Sequence, residues 1–335
     1  MTTESPEFSK RYGAIDEANE KSFYMNDVNR PFEVNMSVHS AGPARQKVEK
    51  STMSDDEIKY VNMQNKAARH VLGGNMSTVV QADGKVPYGP KELDDRGRYD
   101  NAVANMNRYF ENLDIDPATV RVLNPERDYS TPLTVVNVDA DEGVYNGVEP
   151  VKLKESGDFI YTYNPDIVLA VRPADCPIAV FSSETPKGRM YGMIHFAWRG
   201  PASGQFDDMK KEFEALGVDY SSLDVYITPG GHAETYQFTN YAADGKNNPI
   251  PVEGHLFIKP EEQIQEDKSV RYSFGIDTPN AVYEAFRDLG LEDEHIFVDT
   301  SDTTALNSGF GSHGRAMRQQ EDNVRDLVTV KLHAK

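Results

Sequence analysis

The chain has a single cysteine, Cys176, among 335 residues, so no disulfide can form within it. It also has no hydrophobic run approaching the roughly 18 apolar residues that would mark a membrane-spanning helix. No basic segment near the start leads into an apolar stretch, so no signal peptide is expected. Positive charge is in short supply. Lys and Arg number 35 against 54 Asp and Glu, a formal net charge of −19. That is the opposite of the basic face that tracks nucleic-acid phosphates. A small anion pocket stays open, because it needs only one or two local cations or a few backbone N–H groups. These absences together predict a cytoplasmic protein with a reduced thiol, neither nucleic acid nor membrane as partner, and an oligomeric state left open.

Aromatic residues are plentiful, with 17 Tyr and 15 Phe beside the single Trp, enough to build a globular core. Residues 1–60 read as a polar, variable extension in which only Pro31–Val38 alternates like a strand. Residues 61–335 read as one α/β domain, a mixed sheet with flanking helices. Helices are expected over Asp56–Leu72, closed by Gly73 and Gly74, and over Asn101–Leu113, where Val103, Met106, Phe110 and Leu113 recur at helical spacing. Gly204–Leu216 and Thr278–Leu289 are also expected to be helical. Strands are expected at Val120–Leu123, Thr134–Val138, Ile167–Val171, Ile178–Phe181, Met190–His195, Asp224–Ile227, His295–Val298 and Leu327–Leu332.

Chemistry concentrates where two of these strands are interrupted. Arg172-Pro173-Ala174-Asp175-Cys176-Pro177 separates two short apolar runs, so the thiol sits at a break between buried strands. A lone cysteine is ordinarily a small core hydrophobe. Here a carboxylate precedes it, a costly group at a strand end unless partnered, and two prolines stiffen the backbone on either side. His195 closes the following strand and leads into Phe196-Ala197-Trp198-Arg199-Gly200. The interval from Cys176 to His195 accommodates a strand, a turn and a second strand, which brings both side chains to one sheet edge. A thiol beside an imidazole supports either an activated nucleophile or two ligands of a zinc ion.

ADCPIAVF followed by MIHFAWRG resembles the paired signature of the laccase-domain family, also called multicopper polyphenol oxidases. Asn101–Leu123, Gly157–Thr162 (GDFIYT), Ile227–Phe238 (ITPGGHAETYQF) and Phe310–Arg315 (FGSHGR) with Arg325 are similar to further family segments, in order, over roughly residues 75–335. The resemblance implies a single-domain laccase-like fold and a zinc-dependent purine nucleoside phosphorylase with related adenosine-deaminase activity, taking an adenosine- or inosine-like nucleoside and phosphate. It implies Cys176 and His195 as metal ligands and catalytic residues, and Asp175, Arg199, Ser312 and Arg315 as substrate-binding residues. The guanidinium groups suit a bidentate hold on phosphate.

The chain departs from the family pattern at three places. The third family ligand is the His of a Gln-Val-His-Gly motif, but this chain has Asn124-Pro125-Glu126-Arg127 there. Glu126 falls nearest and is the candidate third metal ligand, with Asp83 of Gln81–Gly84 as a competing match. The family's Thr-Arg-x-Gly-Gly segment finds only Ser77-Thr78-Val79-Val80-Gln81, without the arginine. Ala197 stands where a glycine usually precedes the Trp. His232 and His313 lie in matched segments and read as polar residues rather than ligands.

Three functions are thus in competition. The first is a divergent zinc phosphorylase. The second is a metal-free Cys–His hydrolase or deamidase, like the Cys–His pair of cytotoxic necrotizing factor toxins, which share the fold. The third is an inactive homologue that binds nucleosides or acts as a scaffold. Coupled copper sites need clustered His and Cys ligands, which eight scattered His and one Cys do not supply.

Overall fold

The short runs rich in Val, Ile and Phe become strands because β-branched and aromatic side chains pack well on a pleated surface. In the computed structural model the residues described are 22–25, 32–37, 77, 81, 83–89, 93–123, 133–140, 143, 145, 147, 149–200, 203–242, 261–266, 270–304, 310, 312–314 and 325–332. Their strands are β1 (Ser22–Met25), β2 (Phe32–Ser37), β3 (Val120–Leu123), β4 (Val135–Asn137), β5 (Val151–Lys152), β6 (Phe159–Thr162), β7 (Val168–Val171) and β8 (Ile178–Thr185). They continue with β9 (Gly188–His195), β10 (Asp224–Ile227), β11 (Gln237–Ala242), β12 (Glu261–Ile264), β13 (Val270–Gly275), β14 (Ile296–Val298) and β15 (Val328–Leu332). The helices are α1 (Asp95–Asn112), α2 (Gln205–Leu216) and α3 (Thr278–Asp288).

The expected mixed sheet is divided in two. One six-stranded sheet has the order β1-β2-β15-β7-β3-β5 and the other β14-β10-β8-β9-β6-β4, with β11-β13-β12 as a third, smaller sheet. Both large sheets mix parallel and antiparallel pairs: β7 runs parallel to β3 and antiparallel to β15, while β10 runs parallel to β14 and antiparallel to β8. Phe32, Val34, Leu169, Val171 and Val330 of the first sheet share one buried cluster with Ile160, Val180, Met193 and Tyr226 of the second. The outer face of the second sheet packs Phe159, Phe181 and Ile194 on Met209 and Phe213 of α2 and Val282 and Phe286 of α3. The outer face of the first sheet packs Val120, Val122 and Ala170 on Met106, Tyr109 and Phe110 of α1. Two apolar sheet faces thus bury each other, and a helix layer covers each remaining face.

Element boundaries differ from expectation for local reasons. α1 begins at Asp95, six residues before the expected start at Asn101, because the Asp94 carboxylate caps it by accepting from the Gly97 N–H at 2.7 Å. β8 runs on to Thr185 because Ser182 and Ser183 pair with Tyr191 and Met190. The strand expected in the N-terminal segment joins the first sheet, where β2 pairs with β15. The helix expected over Asp56–Leu72 lies outside the described residues. Unanticipated strands are β1, β5, β6 and the polar β11–β13 sheet; β6 is buried at all four positions and so shows no alternation. Close packing sets one glycine in β9. A Cβ on Gly192 would fall 2.4 Å from the Phe181 ring and 2.6 Å from the Ile160 carbonyl.

Strand direction decides what meets at the edge of the second sheet. β8 runs antiparallel to β9 and β10, β9 antiparallel to β6, and β10 parallel to β14. One edge therefore gathers the start of β8, the end of β9, the start of β6 and the ends of β10 and β14.

Candidate active site

Cys176 lies where the chain crosses from the first sheet to the second, between β7 and β8, and is half-buried. His195 ends β9 directly opposite Ile178, the first residue of β8. The strand, turn and strand inferred from the sequence thus bring thiol and imidazole together. On the far side of the ring, Asp158 precedes β6, and its Oδ1 lies 2.9 Å from His195 Nδ1. The Asp158 side chain is 1% exposed and that of His195 15% exposed, so the pair is sheltered from solvent. The backbones are joined as well, with the His195 N–H donating to the Asp158 carbonyl at 2.7 Å.

Carboxylate, imidazole and thiol therefore stand in series. Burial pushes the imidazolium pKa down, but hydrogen bonds with Asp158 and Cys176 and the charge on Cys176 outweigh it and raise it to about 10. Without a metal, His195 holds its proton at neutral pH, with Nδ1 committed to Asp158. Nε2 is the ring nitrogen left to face the thiol.

Asp175 is the hub of the loops behind Cys176. It is 2% exposed, and both carboxylate oxygens accept hydrogen bonds. The Thr303 hydroxyl donates to Oδ1 at 3.1 Å and the Gly314 N–H to Oδ2 at 2.7 Å. Its backbone carbonyl takes the Gly231 N–H at 2.9 Å. The loops after β10 and β14 and the segment Ser312–Gly314 are thereby fastened to the residue beside the thiol. Ser312 itself is buried and His313 exposed. Arg199 lies in the loop after β9, its guanidinium carbon 4.7 Å from the centre of the Trp198 ring. Trp198 in turn stacks on Phe238 at 4.4 Å. The His232 N–H donates to Asp302 at 3.4 Å, while its Nε2 is buried without a hydrogen bond among the described residues. Glu126 and Arg315 lie outside the described residues.

Sequence reasoning did not assign Asp158 a role. Its signal was the isolated carboxylate at the head of the GDFIYT segment. Gln205, which reaches the His195 carbonyl at 2.7 Å from the first position of α2, left no signal in the sequence.

The thiol and an imidazole whose second nitrogen is held by a carboxylate fit a zinc centre, since they supply its preferred donors and the outer hydrogen bond that orients them. Among the described residues no three His, Cys, Asp or Glu side chains are grouped to hold a metal ion, so a third donor has to come from elsewhere. No described helix is long and apolar enough to cross a membrane.

The family model described as multi-copper polyphenol oxidoreductase laccase matches residues 91–323. A protein of Staphylococcus saprophyticus named purine nucleoside phosphorylase is 24% identical over 276 residues, which cover 78% of this chain and 94% of that protein. The hypothetical protein YfiH of Bacillus licheniformis shares the fold with a TM-score of 0.60 at 15% identity, over 96% of this chain and 98% of that one. YlmD of Geobacillus stearothermophilus gives a TM-score of 0.53 at 21% identity, covering 75% and 87% respectively.

Proposed function

Because the chain belongs to the multi-copper polyphenol oxidoreductase laccase family, with a distant relative named purine nucleoside phosphorylase, we propose that it is an enzyme cleaving purine nucleosides with phosphate. The observation that carries this reading is the series Asp158–His195–Cys176 at the edge of the second sheet. Its parts are a buried carboxylate, an oriented imidazole and a half-buried thiol, with an arginine in the adjoining loop. In phosphorolysis a phosphate oxygen bonds to C1′ of the sugar while the C1′–N9 bond breaks, and the base leaves with a proton.

Arg199 is assigned to the phosphate, together with Arg315. Asp175 and Ser312 are assigned to substrate binding, Asp175 by fastening the loops beside the thiol. Asp158 fixes the ring of His195, so Nε2 and the Cys176 sulfur keep one orientation. A zinc ion would be held by Cys176 and His195 with Glu126 as third donor, and when bound would polarise a reacting oxygen as a Lewis acid.

The carboxylate–imidazole–thiol order favours a second, metal-free reading as a Cys–His hydrolase or deamidase. There Cys176 is the nucleophile, and His195 is its charged partner and proton donor. Product analysis of the purified enzyme with inosine and adenosine separates the two. Free base and ribose 1-phosphate, formed only when phosphate is present, support phosphorolysis. Ammonia released from adenosine by metal-stripped protein, without any need for phosphate, supports the Cys–His reading, and no product from either nucleoside contradicts both as nucleoside chemistry.

A further inference from the structure

The backbone of His195 is held unequally by its neighbours. Across β9 and β6 it faces Asp158, and its N–H donates to the Asp158 carbonyl at 2.7 Å. In a regular antiparallel ladder the Asp158 N–H would return a bond to the His195 carbonyl. Here that N–H is turned onto the Thr134 carbonyl at 3.2 Å. The His195 carbonyl therefore ends the ladder, and the Gln205 side chain takes its place, donating from Nε2 at 2.7 Å.

Gln205 is an unusual occupant of that place. It is fully buried, and its Oε1 makes no hydrogen bond among the described residues. A buried amide left half-satisfied is unfavourable, and a residue retained for packing alone would be apolar. The seat is also shaped for it. A Cβ on Gly200 would fall 1.8 Å from Gln205 Oε1 and 2.9 Å from the Ala197 carbonyl, so a side chain at 200 would force the amide to move. The Gln205 N–H closes the loop by donating to the Gly200 carbonyl at 3.0 Å. The glycine that ends the Trp-Arg-Gly segment thus clears the space through which the first residue of α2 reaches back to the histidine.

We propose that Gln205 is a positioning residue for His195, its amide fixing the backbone from which the imidazole reaches between Asp158 and Cys176. This rests on Cys176 and His195 being the reacting centre, and it is tested without relying on nucleoside turnover. Gln205→Met keeps the volume and removes both polar atoms, and Gln205→Leu removes them on a shorter, branched side chain.

In metal-stripped protein two quantities are measured: the downfield proton resonance of the His195 Nδ1–H held by Asp158, and the rate of Cys176 alkylation by iodoacetamide at pH 7. In both variants the resonance is expected to shift or vanish and the alkylation rate to change at least threefold. Turnover, where present, loses kcat with KM unchanged. An unshifted resonance and a wild-type alkylation rate in whichever variant folds overturn the proposal, whatever turnover shows. Should neither variant fold, Gly200→Ala, which displaces the amide while keeping Gln205, decides it by the same two readouts. Loss of nucleoside cleavage in the wild type, with both readouts moving as expected, counts against the proposed function and leaves Gln205 standing.

Discussion

The Asp158 carboxylate holds His195 Nδ1 at 2.9 Å from a position almost wholly removed from solvent, and the Asp158 backbone carbonyl accepts from the His195 N–H. A ring pinned at one nitrogen and along its backbone presents the other nitrogen in one direction. The chemistry assigned to Cys176 and His195 depends on that constraint.

Asp158→Asn keeps the size of the side chain but puts an amide where a full negative charge faces the imidazole. Outer hydrogen bonds of this kind are worth about 10- to 100-fold in metal affinity or activity. The expected result is a loss of kcat/KM in that range, with the thermal unfolding midpoint moved by only a few degrees. Steady-state kinetics beside a melting curve check it, and an unaltered kcat/KM would remove Asp158 from the account.

The imidazolium beside Cys176 favours negative charge developing on the sulfur. In metal-stripped protein, alkylation of Cys176 by iodoacetamide at pH 7 should therefore be faster than for a free thiol. It should slow at least tenfold in His195→Ala. Equal rates in the two proteins would show that the ring does not act on the thiol.

Asp175→Asn replaces one of two acceptor oxygens with an NH2 group, so the side chain can accept from Thr303 or from Gly314 but no longer from both. Losing a hydrogen bond to a buried charged group costs about 1.5–3 kcal/mol. Chemical denaturation should report a loss of that size. Substrate affinity should fall with it, because Ser312–Gly314 loses its tether.

Asp299 supplies a test by pH. Burial pushes its carboxyl above the ordinary value of 3.8, against the pull of its hydrogen bonds with Ser301 and of His232 and Tyr226. The folded chain then holds this proton more tightly than the unfolded chain. Stability therefore falls as pH rises from about 3.8 through the higher folded value. An asparagine at this position cannot titrate and retains an acceptor for the Ser301 N–H, which lies 2.8 Å from the native carboxylate. Asp299→Asn should be more stable than wild type at pH 7, with the difference closing below about pH 4. Unfolding midpoints at both pH values check this, and a variant less stable at pH 7 would contradict it.

Much of this site was legible because its residues end apolar strands. Ile178–Phe181 and Met190–His195 are short β-branched or apolar runs, and whatever interrupts them has to lie at a sheet edge. The sequence therefore located Cys176 and His195 correctly relative to one another. It did not disclose that β7 and β8 belong to different sheets, because apolar runs carry no mark of which strand they pair with. Asp158 stayed hidden because its contact with His195 depends on the pairing of β6 with β9, a long-range choice. Gln205 was hidden for the opposite reason, since a polar residue at the first position of a helix reads as solvated until the fold buries it.

The central claim is that Cys176 and His195 form the working centre of a phosphate-dependent nucleoside-cleaving enzyme. The most direct measurement is release of hypoxanthine from inosine, with and without phosphate, by wild type and by folded Cys176→Ala. The account predicts phosphate-dependent release by the wild type and a drop of at least a hundredfold in the variant. Release that is unchanged in Cys176→Ala would contradict it.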